Sequence, residues 1–203
     1  DRGSPASCRP QCGPEPHGTG RDQRSRLQYS VGTNVSGSAE LKSTIKPAVG
    51  QIRLLWPVDC SGIERPLYVA VLKKAGPERY LAAPFGRFAG PAVPGEWLTG
   101  LKALPARVLC LWNARVISGR TLACSWVAGR ITAQQAAKAL EVYEHTRTGA
   151  PLVSVPETRI GPPIRHPLDP RHEYMAEEAD LFQECLQSLT ACADADGGED
   201  EGL

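Results

Sequence analysis

The last 32 residues of this 203-residue chain contain no lysine or arginine. Residues 1–171 carry all 23 basic residues against 12 acidic ones, a formal +11, whereas residues 172–203 carry 10 acidic residues and a formal −10. The overall charge of +1 therefore sums two opposed parts, a pattern that points to a polyanionic partner or an acidic appendage. Other absences narrow the class. No run approaches the roughly 20 apolar residues that a membrane span requires, so no membrane partner is expected. No basic segment followed by an apolar stretch opens the chain, so no signal peptide is expected. The chain begins at Asp1 and its single methionine is Met175, as in a trimmed product, a fragment or a misread frame. Seven cysteines occur (Cys8, Cys12, Cys60, Cys110, Cys124, Cys185, Cys192) without a single C-x-x-C. Their odd number and wide spacing argue against a disulfide framework or a zinc ribbon. Reduced thiols, a cytoplasmic setting and no metal or other cofactor are the expectation.

What is present changes texture along the chain. The first 40 residues contain ten Gly/Pro and six Ser with almost no large aliphatics, so residues 1–46 are expected to be a disordered leader. Translated upstream nucleotides ahead of a domain starting near Leu41 are the alternative. Cys8, Cys12 and His17 lack a fourth ligand at plausible spacing. From Val49 the pattern becomes strand-like: residues 49–57, then Leu67–Leu72, then Arg79–Pro84 in a hairpin with it. Residues 107–112 and 121–127 are the fourth and fifth expected strands, separated from the third by a Gly/Pro-rich excursion at 85–106. Short strands at this spacing predict a small twisted sheet or a partly closed barrel.

The period then switches to helix. Thr132 with Gln135 forms a capping-box pattern, Ala133, Ala136, Ala137, Leu140 and Tyr143 recur at helical spacing, and Gly149 with Pro151 supplies the stop. Residues 150–170 read as a Pro-rich connector. Asp169-Pro170 then opens an amphipathic helix over 171–192 with Tyr174, Leu181, Phe182, Cys185, Leu186 and Leu189 on one side and acids on the other. Residues 193–203 read as a disordered acidic tail. The expected fold is thus mainly β with terminal helices, its barrel-and-helix domain spanning 47–149.

Nucleic-acid binding follows from composition. Residues 46–171 hold 17 Lys/Arg against 8 Asp/Glu, and the basic residues alternate with Trp56, Tyr68, Phe85, Phe88, Trp97 and Trp112. Arginine supplies phosphate affinity and exposed aromatics stack unpaired bases. Tyr68 and Trp112 are expected in the core, and Phe85, Phe88 and Trp97, which fall in a loop, are expected exposed. The candidate RNA contacts are Arg53, Arg87, Asn113, Arg115, Phe85 and Trp97.

Several short motifs occur in order: Gly50-Gln51-Ile52, Glu64-Arg65-Pro66, Ala83-Pro84-Phe85-Gly86, Asn113-Ala114-Arg115 and Gly129-Arg130-Ile131-Thr132. In this order and spacing, over residues 49–148, the chain resembles the MazF/PemK (CcdB-like) toxin superfamily. The resemblance implies an SH3-like barrel with a terminal helix, and a metal-independent endoribonuclease acting on single-stranded RNA. It also implies an antitoxin-like protein partner and a tendency to homodimerise. Arg65 occupies the family's catalytic arginine position, where a guanidinium would stabilise the phosphorane charge. Pro66 holds Arg65 extended. The family's Thr or Ser after Ala-Pro-x is here Gly86, which has no hydroxyl, and the adjacent Arg87 is no base at physiological pH. His145 and His166 are the other acid–base candidates. The alternative is a non-catalytic SH3-like interaction module. The acidic helix lies outside the family pattern; it either folds over the basic face in place of RNA, docks a partner, or packs its Leu/Phe stripe on the barrel.

Overall fold

The computed structural model describes residues 45–56, 66–102 and 105–195. Residues 1–44 of the expected leader, Arg65 and the end of the acidic tail lie outside them. Strand β1 (Gln51–Leu55) pairs antiparallel with β2 (Leu67–Gly76), whose β-branched and aromatic start suits a strand buried on both faces. A tight turn in which Glu78 takes φ 49° returns the chain as β3 (Arg79–Pro84). The excursion after β3 contains a strand that its composition hides, β4 (Glu96–Leu98), which pairs with β5 (Val108–Cys110).

Past β5 the expected strands are partly replaced. Residues Leu111–Asn113 form a 3-10 turn, and Arg115–Ser118 is an additional strand, β6, on the open side of β3. The expected strand at 121–127 is instead a helical turn, α1 (Gly119–Ala123), because the Ser118 hydroxyl accepts the Thr121 amide and caps it. Only Trp126–Arg130 continues as strand, β7. Helix α2 (Ala133–Thr148) carries both halves of the Thr132/Gln135 capping box and ends at Gly149 in the left-handed conformation. Helix α3 runs Arg171–Ala195.

The principal sheet has the order β6-β3-β2-β1-β7, and β4-β5 forms a second, two-stranded sheet. A β-bridge from Phe85 to Leu109 and the Gly86 amide on the Val108 carbonyl join them, and they do not close into a barrel. Both faces of the five-stranded sheet are covered. On one, Ile52, Ala70, Leu72 and Ala83 pack with Trp97, Leu109 and the α2 residues Ala136, Ala139 and Val142. On the other, Leu55, Leu67, Val69, Val71, Tyr80 and Ile117 pack against Leu122 and the α3 residues Phe182, Cys185 and Leu189. No helix among the described residues is long and apolar enough to cross a membrane.

The connector is tied to α2 by one carboxylate. Glu141 accepts from the Ser154 hydroxyl and from the amides of Val153, Ser154 and Val155. These bonds, the Ser154 hydroxyl foremost, hold the carboxyl at about 2, below its ordinary 4.5. A carboxyl depressed on folding stabilises above its unfolded value, and that contribution is lost as pH falls through the folded one. Between pH 4.5 and 2 the melting temperature should therefore fall more steeply for the native chain than for Glu141→Gln. Thermal melts across this range test it; parallel slopes would exclude Glu141 as the cause.

Candidate functional site

The RNA contact expected of Arg53 is not open to solvent. Alternation along β1 suggests that its polar residues face outward, but both sheet faces are covered, and Arg53 is fully buried. Its Nε donates to Ser125 Oγ at 2.8 Å, and one terminal nitrogen donates to the Ser125 carbonyl at 2.8 Å. The other terminal nitrogen reaches Gln51 Oε1 at 2.6 Å. Burial lowers the guanidinium pKa. Arg53 therefore joins β1 to the loop after α1, and an RNA phosphate has no path to it. The exposure expected of Phe85 and Trp97 is likewise corrected. Each is paired through its backbone, Phe85 with Leu109 and Trp97 within β4, which turns both rings into the core beside α2. Phe88 is 44% exposed, as expected for a loop aromatic. Tyr68 packs partly buried against the core, and Trp112 is half-buried.

The remaining candidates converge, and what they converge on is α3. Arg87 pairs with Glu177 at 2.6 Å and with the buried Glu178 at 3.5 Å. Its guanidinium also lies over the rings of Phe88 and Tyr174, at 5.5 and 5.1 Å. The bond to Glu177 is the main reason its pKa rises. Asn113, buried after the 3-10 turn, donates from Nδ2 to the Glu178 carbonyl at 3.2 Å. Arg115, at the start of β6, donates to Asn113 Oδ1, Gln183 Oε1 and the Ala179 carbonyl, and lies over the Phe182 ring at 5.7 Å.

At Gly86 the missing hydroxyl has a structural counterpart. A Cβ at this position would stand 2.9 Å from Cys110 Sγ, 3.0 Å from the Tyr174 hydroxyl oxygen and 3.7 Å from Glu96 Oε1. The volume that a Thr or Ser side chain would occupy is filled by a tyrosine from α3. That tyrosine donates to Glu96 Oε1 at 2.6 Å. Glu96, fully buried, also accepts the amides of Ala92 and Val93 and the Cys110 thiol. Burial pushes the Tyr174 hydroxyl well above its usual range, and burial beside Glu96 does the same to the Cys110 thiol. Both therefore stay protonated, and neither is a nucleophile or a base at neutral pH.

Sequence reasoning missed Glu96, Tyr174 and Glu178. The one available signal was Gly86 itself, since a glycine where the resembled family carries Thr or Ser leaves room for something else. The two histidines stand elsewhere. His145 Nδ1 lies 2.6 Å from the Ala150 carbonyl, and His166 is exposed and accepts the Leu168 amide. Among the described residues no group of three or more His, Cys, Asp or Glu could hold a metal ion. No protein-family model, curated protein or solved structure matches this chain.

Proposed function

We propose that this chain is a non-catalytic interaction module with a MazF/PemK-like core, in which the face that such a toxin would offer to single-stranded RNA is filled by α3. The five-stranded sheet linked to β4-β5 through Phe85 and Leu109 is, on this reading, an opened SH3-like barrel. The observation that carries the proposal is that Arg87, Asn113 and Arg115 all bond to α3 while Tyr174 fills the space beside Gly86.

Two magnitudes decide between a permanent filler and a removable cover. The Arg87–Glu177 pair is 41% and 53% exposed, and such pairs contribute about 0–1 kcal/mol. Burying side chains such as Phe182 and Leu189, by contrast, stabilises by about 1.5–3 kcal/mol each. With Tyr174 and Cys185 added, undocking α3 costs an amount comparable with the stability of a whole domain, roughly 5–15 kcal/mol. The helix is part of the core.

The test uses the full chain with labelled single-stranded RNA. No cleavage and no saturable binding below about 10 µM at physiological salt are expected. Cleavage abolished by Arg65→Ala would overturn the proposal in favour of a toxin-like endoribonuclease. A residual RNA-binding reading has one observation in its favour: Arg87 and Phe88 are adjacent, stacked and both about two-fifths exposed. It requires that Phe88→Ala weaken low-salt RNA binding at least fivefold, given stacking worth about 1–3 kcal/mol per base.

A further inference from the structure

A cleft of about 540 Å³ lies on a different part of the molecule, between the C-terminal turn of α2, the Pro94–Gly95 loop and the connector. Its size is within the range of small-ligand sites, about 300–1,000 Å³. Pro94, Leu152, Ile160, Pro162 and Pro163 supply apolar walls, and His145, Thr146 and Glu157 supply the polar groups.

The connector wall is fixed at several points. Glu141 holds Val153–Val155, Ile160 bridges Trp97, and the Gly161 amide donates to the Glu96 carbonyl at 3.1 Å. Arg171 donates to the Pro162 and Pro163 carbonyls and to that of Ala92. The cleft is thus held open by bonds already made, which lowers the ordering cost of binding.

Its polar groups are nearly all acceptors. A carbonyl can only accept, so the His145 Nδ1 that meets the Ala150 carbonyl carries a proton and spends it there. The Thr146 hydroxyl spends its proton on the Val142 carbonyl. Glu157 has no side-chain partner among the described residues. The C-terminal end of a helix adds a negative potential. The nearby Arg147 is turned away onto Tyr143, donating to its hydroxyl at 3.0 Å.

We infer that this cleft binds a guanidinium or amidinium group carried on an apolar stem, the stem lying against the prolines and the cation donating to Glu157 and to the Thr146 hydroxyl oxygen. A free amidine and an arginine side chain of a partner protein share that chemistry. Of α3 the inference uses only Arg171 and none of the residues that meet Arg87, Asn113 or Arg115, so it stands or falls separately from the proposed function.

The experiment is a titration of the isotopically labelled full chain with benzamidinium and, separately, with acetyl-Gly-Arg-Gly-amide, with benzyl alcohol as the neutral control. Saturable amide shifts confined to residues 145–146, 152 and 157–161 are expected with a cation. Glu157→Gln, an exposed change that leaves the fold intact, is expected to weaken binding about tenfold by removing a charge-assisted bond. Tighter binding of benzamidinium assigns a free small cation, and tighter binding of the peptide assigns a protein arginine. Equal affinity for benzyl alcohol, unchanged affinity in Glu157→Gln, or no saturation by either cation would each overturn the inference.

Discussion

Phe182→Ala is expected to remove about 3–5 kcal/mol of stability, the usual cost of deleting a buried phenylalanine. Phe182 is fully buried at the middle of α3, between the sheet residues of the second core cluster and the Arg115 guanidinium. The substitution therefore loses an apolar side chain and a cation–π partner together. Equilibrium denaturation in urea measures it, through a lower midpoint with an unchanged slope. The same measurement separates the two roles that α3 could play. A helix that belongs to the core unfolds with the sheet, so circular dichroism and tryptophan fluorescence should lose signal in one transition. A removable cover would detach first, giving a variant whose sheet melts at the native midpoint and whose RNA affinity rises. That outcome would reinstate the basic face as a binding surface held shut by its own chain.

The parts of this fold that were legible in the sequence are those encoded by neighbours. The capping box at Thr132 and Gln135, the Gly149 stop and the hairpin of β2 and β3 each rest on residues a few positions apart. The α1 turn was misread because Thr121, Trp126 and Val127 favour strand, whereas the Ser118 hydroxyl, three residues before Thr121, caps a helix. Strand β4 was invisible for another reason: three residues cannot show a period of two. The site was less legible than the fold. Arg53 reads as an outward phosphate ligand until Ser125, 72 positions later, closes over it. Arg87 and Arg115 are legible from charge and short motifs, but their acceptors on α3 lie 64 to 91 positions away. Opposite charge at the two ends of a chain states that the ends can meet; it does not state which side chains do.

Gly86→Ala is the sharpest test of how α3 meets the sheet. The new methyl would lie 2.9 Å from Cys110 Sγ and 3.0 Å from the Tyr174 hydroxyl oxygen, distances that require a neighbour to move. Neither neighbour is free to do so. Cys110 is paired within β5, and Tyr174 is bonded to the buried Glu96. Overpacking a filled core by one carbon typically costs about 1–3 kcal/mol, and displacing Tyr174 would leave Glu96 Oε1 with only the weak Cys110 thiol donor, at roughly 1–3 kcal/mol more. Gly86→Ala should therefore be destabilising by about 2–6 kcal/mol. In a Cys110→Ala, Tyr174→Phe background, where both obstructing atoms are gone, the same change should cost at least 1 kcal/mol less. Chemical denaturation of the four chains gives this coupling directly. Additive effects would mean that the three residues do not share one volume, and the tyrosine would no longer account for the glycine. Coupled effects would mean that a hydroxyl side chain at residue 86 is excluded by the packing of α3. Introducing one as Gly86→Ser should then loosen α3 and destabilise the chain.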